Sequence, residues 1–509
     1  LSRLDYSNWA AWNMSGNGDQ GDDEIGNGWP GEWHDLEPIR GLQEFVQSAD
    51  LDYVCFIDSG DYFSKDYLSR IIMGLEQKDL DMFYCDEDHY LPPLGRLMQP
   101  ILKPDPSPAL LISFNYLRHA FFHKSLLKRI STKPANYESL REGLAFASLQ
   151  PGRKSLHISG LYYHAAGHDR IFEKVNNEER LDSVRDYLSS NGLKSIVAEV
   201  GLNGHLHVSW QAKTPLVSII IPTHNQALIL GRMMDSLLTM TTYQKYEVIL
   251  VDNASDEDEI GELYNKLLSD ERVKLIRATK TFNYSAYNNV GAAKARGEIL
   301  VFLNNDIEVI EPDWLKELVM WVERPDVGIV GARLMYPNGR IQHAGVVIGL
   351  VGSAGHVFIG EPPEIETAFG SPMWYRNYLA VTGACMAMRR EVYDELGGFD
   401  EVYQLTFSDI TLCLKAIEKG YQVVYNPFAC LVHHEGGTRG DHIPDADIIL
   451  MAKELGKWVE KGDPYFNPLL SHLIATPALK RNFEESPVMR LKTINDLAEI
   501  NIPNRGVKS

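Results

Sequence analysis

The chain has 509 residues, 44% of them hydrophobic, and a formal net charge of −20. That length predicts about two to three domains, each able to bury a sizeable core. The acidic balance excludes broad binding to nucleic acid or to an anionic membrane surface. Five cysteines (Cys55, Cys85, Cys385, Cys413, Cys430) form no CxxC pair and no metal-ligand spacing. They read as reduced core thiols, which predicts a cytoplasmic setting. No apolar run reaches the roughly 18–20 residues that span a bilayer, and no signal peptide is visible. The chain opens on Leu1 rather than Met, so a native start is expected upstream.

Residues 1–44 are rich in Gly, Asn, Asp and Trp, without periodicity, and read as an irregular segment. Two GxGxxG matches, at 16–21 and 26–31, neither follow an apolar strand nor open a helix, so the dinucleotide mechanism is absent. Near residue 50 the pattern becomes α/β. A strand over 52–57 ends on Asp58-Ser59-Gly60-Asp61, a helix covers 65–77, and a strand over 82–85 ends on Asp86-Glu87-Asp88. These define a first unit, 45–175. Residues 176–213 read as a linker with a helix over 178–191 and short strands.

A second unit, 214–440, alternates regularly. Strands are predicted at 217–221, 247–251, 273–277, 299–303 and 328–333, with helices at 226–240, 257–268, 285–296 and 312–323 between them. Ser255 and Asp258 suggest a capping box. Such alternation implies a parallel sheet with right-handed crossovers. Further strands follow at 422–425 and 429–432. Residues 441–509 read as a helical extension, with a helix over 446–461.

Three apolar strands end in polar tips: Pro222-Thr223-His224-Asn225, Asp252-Asn253 and Asn304-Asn305-Asp306. In open α/β sheets the ligand crevice lies at that rim. Asp306 is either a turn or capping carboxylate, or a ligand for Mg2+ or Mn2+ bridging a diphosphate, with Asn304 adding a neutral oxygen. Asp252 is either a helix cap or an acceptor for the imide N–H of uracil or thymine. Thr223 and Asn225 either cap a helix or hold base and ribose. Asn283 faces a nucleotide unless Ser285 merely starts the next helix. Asp409 lies in the first turn of an amphipathic helix, where the dipole favours a carboxylate; the sharper reading is a general base. Successive strand residues face opposite ways, so one of His433 and His434 can complete a metal shell, and His433 is the candidate. Arg439 is a bidentate phosphate clamp or a surface charge. Trp374 and Arg376 either contact a sugar or pack.

At these residues the stretch 215–440 resembles the family 2 inverting glycosyltransferases of the GT-A fold. The matching motifs continue through Thr382-Gly383-Ala384-Cys385, Gly397-Gly398-Phe399-Asp400 and Ser408-Asp409, and on to Asp463-Pro464-Tyr465-Phe466-Asn467-Pro468. The chain is similar to tandem bacterial enzymes that build O-antigen, capsule or other surface polysaccharides. The resemblance implies an α/β GT-A domain, Rossmann-like, with a nucleotide-diphosphate sugar donor, UDP- or dTDP-linked. It implies a divalent metal on Asp306 and His433, Asp409 as base, and inversion. Pro222, Thr223, Asn225, Asp252, Asn283, Asn304, Asn305 and Arg439 would surround the donor. Trp374, Arg376, Thr382, Gly383 and Ser408 would meet a glycan or lipid-linked glycan acceptor, with peripheral contact at the inner face of the membrane. Asn304 departs from the first Asp of a DxD motif, and Ser408 from the acidic residue before the base.

A weak repeat links the two units. Phe56-Ile57-Asp58-Ser59-Gly60-Asp61 echoes Phe302-Leu303-Asn304-Asn305-Asp306, and Leu161-Tyr162-Tyr163-His164 echoes Leu431-Val432-His433. Asp58 matches the first DxD position, while Gly60 stands where the metal carboxylate belongs. With no opening nucleotide strands, the first unit reads as a truncated, degenerate GT-A-like domain without catalysis. The rival to an enzyme is a glycan-binding scaffold with both units inactive. A nucleotidyltransferase or a dehydrogenase would need a Gly-rich loop after 217–221, and none is present.

Overall fold

The computed structural model describes residues 11–13, 33–35, 52–58, 60–64, 67, 69–70, 79–91, 96–130, 137–166, 178–201, 204–278, 283–434 and 443–501. The two GxGxxG stretches, most of the expected helix 65–77, and Arg439 lie outside the described residues. Contacts divide the chain into two compact units. Residues 178–208 group with the first unit, as do the short segments 368–370 and 467–469; the remainder from 209 onward forms the second.

In the first unit the labelled elements are β1 (Tyr53–Val54), β2 (Tyr62–Phe63), β3 (Met82–Leu91), β4 (Arg96–Ile101), β5 (Phe121–His123), α1 (Tyr137–Ser148), β6 (Ser155–Ala166) and α2 (Glu178–Ser190). The sheet order is β1-β5-β3-β6-β2, with β4 beside β3. Two expectations change. The strand expected over 52–57 shrinks to two residues, because its partner β5 offers only Phe122 and His123 for pairing. The strand expected to stop before Asp86-Glu87-Asp88 instead runs through it. Each carboxylate there has a partner inside the fold: Asp86 accepts from the Lys103 amide at 2.8 Å, Glu87 from Lys103 Nζ at 2.6 Å, and Asp88 lies 2.6 Å from His164 Nδ1.

The second unit contains β7 (Val217–Thr223), α3 (Ala227–Met240), β8 (Tyr246–Asn253), α4 (Asp258–Leu267), β9 (Val273–Ala278), α5 (Tyr284–Lys294), β10 (Ile299–Leu303), β11 (Ile307–Val309), α6 (Trp314–Val322), β12 (Val327–Met335), β13 (Ile341–His343), β14 (Arg376–Tyr378), β15 (Cys385–Arg389), α7 (Ser408–Glu418), β16 (Gln422–His433) and α8 (Asp445–Lys461). Among the described residues its main sheet has ten strands, in the order β9-β8-β7-β10-β15-β12-β16-β11, with β13 on β12 and β14 on β16. The run β9-β8-β7-β10 is parallel, as is the pair β12–β16, but β15 runs antiparallel to both its neighbours, so the sheet is mixed rather than parallel. Every residue of β7 and β10 is buried. A strand covered on both faces reads as a continuous apolar run rather than an alternating one.

Two further corrections concern local chemistry. The capping box at Ser255 does not form. Helix α4 starts at Asp258 with Glu257 as its cap residue and no side-chain cap bond, while Ser255 Oγ accepts from the Asn225 amide at 2.7 Å. The two strands expected at 422–425 and 429–432 are one strand, β16, with a bulge. Its register against β12 steps from Ala332↔Asn426 to Arg333↔Cys430. Asn426 holds the bulge: Nδ2 donates to the Glu317 carbonyl of α6 at 3.2 Å, and Oδ1 accepts from the Phe428 amide.

The order β1-β5-β3-β6-β2 in the first unit repeats β10-β15-β12-β16-β11 in the second, with the same sequence of strand senses. Register also corrects the alignment of the two motifs. Asp306 immediately precedes β11, where Ile307 pairs with His433. Asp61 immediately precedes β2, where Tyr62 pairs with His164. Asp61, not Gly60, therefore holds the place of Asp306; the first copy has one extra residue in the tip.

Helix α5 lies directly on the sheet because Gly291 faces it. A Cβ there would sit 2.4 Å from Ile220 Cγ2 and 3.1 Å from Val251 Cγ2. Gly261, on the exposed side of α4, would meet nothing within 4 Å. Gly291→Ala is expected to destabilise by about 1–3 kcal/mol through overpacking, and Gly261→Ala to stabilise by up to about 1 kcal/mol through helix propensity. Urea-unfolding midpoints of the pair check this; a gain of stability in both would show that the close approach at Gly291 does not constrain α5.

Candidate active site at the sheet rim

The tips of β7, β8 and β10 lie side by side because the three strands are consecutive neighbours in the sheet. Asp252, last but one in β8, pairs with Thr223 in register and is fully buried. Its Oδ1 accepts from Tyr264 Oη at 2.8 Å and from the Ser255 amide at 3.2 Å. Its Oδ2 is buried and has no hydrogen-bond partner among the described residues. A buried carboxylate oxygen without a donor is costly, so this one fits a donor brought by a ligand. Burial, with Asp252 beside it, pushes the Tyr264 phenol well up, which keeps it a donor.

Around Asp252 the other expected donor residues do different work. Thr223 is buried and receives a 3.4 Å bond from Asn305 Nδ2. Pro222 lies beyond the last β7–β10 pair, Ile220↔Phe302. Asn225 braces the loop before α4: its Oδ1 accepts from the amides of Asp256 and Glu257, and its Nδ2 donates to Asp256. Asn283 is the N-cap of α5, accepting from the Ala286 amide at 2.7 Å, and it donates to the Glu401 carbonyl. The structure thus gives the capping role to Asn283 rather than Ser285.

Asp306 and His433 meet. Pairing of β11 with β16 sets Ile307 opposite His433, and the His434 amide donates to the Asp306 carbonyl at 3.0 Å. His433 Nε2 then lies 3.1 Å from Asp306 Oδ1, with both side chains about nine-tenths buried. His434 turns the other way and contacts Glu308 Oε2 at 2.7 Å, as strand alternation requires. His433 Nδ1 is buried without a hydrogen-bond partner among the described residues. A carboxylate oxygen and an imidazole nitrogen converging at a rim fit a divalent cation.

Asp409, second residue of α7, is tied to the turn before β15. Its Oδ2 accepts from the Gly383 amide at 2.7 Å and its Oδ1 from the Ile410 amide. Tyr284 Oη donates to the Gly383 carbonyl at 2.9 Å. One residue on, the Ala384 carbonyl accepts from the Asn304 amide at 3.0 Å. A Cβ on Gly383 would meet Tyr284 Oη at 2.8 Å and Asp409 Cβ at 3.2 Å, so the turn needs a glycine for this approach.

Three acceptor expectations fail on burial. Trp374 and Arg376 are 6% and 2% exposed. Arg376 lies in β14, paired with β16, with its guanidinium over the Trp374 ring at 5.6 Å. Ser408 is 2% exposed, and its carbonyl accepts from Thr411 Oγ1. Packing against strands and helices claims all three. Thr382 is also mostly buried and its Oγ1 accepts from the Ala384 amide. Sequence reading missed His343. It is fully buried, its Nε2 accepts from the Thr382 amide at 3.5 Å, and burial, reinforced by His356 and His433, holds its pKa well below the usual range. No motif flags it; only its contact with the turn does.

Residues 218–397 match the family model described as Glycosyl transferase family 2. The chain is 38% identical over 482 residues to the O-antigen biosynthesis protein RfbC of Myxococcus xanthus, covering 90% of this chain and 37% of that one. It is 36% identical over 452 residues to the protein y4gI of Sinorhizobium fredii, covering 84% and 49%. It is 24% identical over 225 residues to the O-antigen chain rhamnosyltransferase RfbN of Salmonella typhimurium, covering 44% and 67%. The chain therefore spans between a third and a half of the length of the first two relatives. The family match opens on β7, includes Asp252, Asn304-Asn305-Asp306 and the Gly383 turn, and closes before Asp409. Residues 218–397 of this chain thus form a glycosyltransferase family 2 domain, on the mixed α/β sheet described above.

Proposed function

We propose that the second unit transfers a sugar from a nucleotide-diphosphate donor to a hydroxyl of a bacterial surface glycan, with inversion at the anomeric carbon. The observation that carries this is the Asp306–His433 pair, 3.1 Å apart at the same rim as the unsatisfied Asp252 oxygen. The Asp252 oxygen suits the imide N–H of uracil or thymine, which favours a UDP- or dTDP-sugar. Asp306 and His433 would hold Mg2+ or Mn2+. Such a cation supplies Lewis-acid neutralisation of a leaving diphosphate.

Asp409 is the proposed base. Two backbone amides aim its carboxylate, and each oxygen retains a lone pair to accept a proton. The acceptor hydroxyl loses its proton to Asp409 as its oxygen attacks the anomeric carbon from the side opposite the diphosphate. The C–O bond to the donor breaks in the same displacement, which inverts the centre. The names of two relatives concern O-antigen, which supports a lipopolysaccharide-type acceptor, free or lipid-linked. No helix among the described residues is long and apolar enough to cross a membrane.

The first unit is proposed to be non-catalytic. Its helix α1 stands where α7 stands, and Glu138 where Asp409 stands, but Glu138 receives the Arg118 guanidinium at 3.2 Å. Its His164 is engaged by Asp88 and Ser64 rather than by Asp61.

Asp409→Asn is expected to lower turnover by about 10²–10⁴-fold while leaving donor affinity unchanged. Steady-state kinetics with donor titration measure both, and near-wild-type turnover would remove Asp409 from the base role. The anomeric configuration of the product, read by NMR, tests the displacement; retention contradicts it. In thermal-shift assays with UDP-, dTDP- and GDP-sugars, the true donor should stabilise the protein only with Mn2+ or Mg2+, and Asp306→Ala should abolish that shift. Equal stabilisation without metal, or in Asp306→Ala, would count against the metal-bound donor.

A further inference from the structure

The first unit places three ligand-type atoms together, and not the three that its repeat of the second unit would suggest. Asp61 holds the register position of Asp306, yet His164, which pairs with the next residue Tyr62, contacts Asp88 at 2.6 Å and Ser64 Oγ at 2.8 Å. The imidazole that faces the tip is instead His119, two residues before β5. Ligand atoms of Asp58, Asp61 and His119 lie within 4.8 Å of one another.

His119 is the telling residue. It is 6% exposed, its ring stacks on Tyr163 at 4.0 Å with a 14° tilt, and its Nδ1 lies 3.0 Å from Glu87 Oε2. Glu87 is itself held by Lys103 Nζ at 2.6 Å. In the tautomer whose Nδ1–H donates to Glu87, the lone pair of the neutral ring lies on Nε2. Nε2 is buried without a hydrogen-bond partner among the described residues, and the nearest oxygen of Asp58, Oδ2, lies 3.8 Å away. Two acceptors facing each other repel, and a cation between them reverses the sign. A carboxylate on the far nitrogen of an imidazole is also the arrangement that orients metal-binding histidines.

We propose that Asp58, Asp61 and His119 form a divalent-cation site in the first unit, separate from Asp306 and His433. Arg118 and Arg141 contact Asp58 at 3.3 and 3.2 Å. They also offset much of its charge. Asp61 spends hydrogen bonds on Tyr163 Oη and the Ala166 amide, which fix its direction. With the carboxylate charge partly offset and an imidazole in the set, the site suits Mn2+ or Zn2+ better than Mg2+.

The test is Mn2+ binding by the full chain, followed by electron paramagnetic resonance of the free ion, with thermal melts to verify folding. The Asp306→Ala variant, which removes the second unit's metal carboxylate, should still bind one equivalent. Adding His119→Ala, or Asp61→Asn if His119→Ala does not fold, should abolish that equivalent. His119→Ala alone should leave sugar transfer unchanged. Mn2+ binding that persists in Asp306→Ala/His119→Ala, or that is absent from Asp306→Ala, overturns the site. The second unit's metal is judged separately, by whether Asp306→Ala loses an equivalent relative to the wild type.

Discussion

The hydrogen bond from the Asn304 amide to the Ala384 carbonyl, 3.0 Å long, continues the β10–β15 ladder by one step past its last pair, Leu303↔Cys385. The rest of the site depends on it. On one side it fixes the backbone that delivers Asp306; on the other it fixes the turn whose Gly383 amide holds Asp409. A metal-type carboxylate and a base-type carboxylate far apart in sequence are thereby mounted on one rigid seam. Sites carried by strand ends and helix starts are positioned more exactly than sites on free loops, and here both ends of the seam are buried in the sheet.

The seam is possible because β15 runs antiparallel between β10 and β12. A fully parallel sheet would carry the strand after β10 upward through another crossover. Reversal instead brings the start of β15, and the turn before it, to the carboxyl end of β10. The same reversal occurs in the first unit at β5, and it brings Arg118 and His119 to the tip that carries Asp58 and Asp61. One topology thus builds two rims with different chemistry. Where the second unit has Thr382 and Gly383, the first has two basic-type side chains, and its counterpart of Asp409, Glu138, is paired to a guanidinium instead of a backbone amide.

Much of the second unit was legible from the chain alone. β7, β8 and β10 are continuous apolar runs that end in Asn, Asp or Thr, a signal that survives because both faces of these strands are covered. Strand alternation alone allowed only one of His433 and His434 to face a ligand, and the pairing with Ile307 turns His433 toward Asp306. The failures share a cause. Ser255 looked like a cap, Asn225 like a ligand contact and Trp374 with Arg376 like a sugar platform. Each residue type can satisfy its polar atoms or its ring in more than one way. Which partner takes it is a matter of what arrives from elsewhere: the Asn225 amide for Ser255, the 256–257 amides for Asn225, and the β14–β16 pairing for Arg376.

Sequence by itself determined the strand tips, the α/β alternation and the carboxylates at the rim, because apolar periodicity and the polarity of a strand end are local properties. Tertiary structure decided which of those carboxylates have partners. It moved the metal-type position of the first unit from Gly60 to Asp61, a difference of one residue that only ladder register can settle. It also set His119 in place of His164, through a contact with Glu87 from a neighbouring strand. Hydrogen bonds between residues distant in sequence leave no periodic trace in the chain, and they determine which side chains in this protein remain available to a ligand.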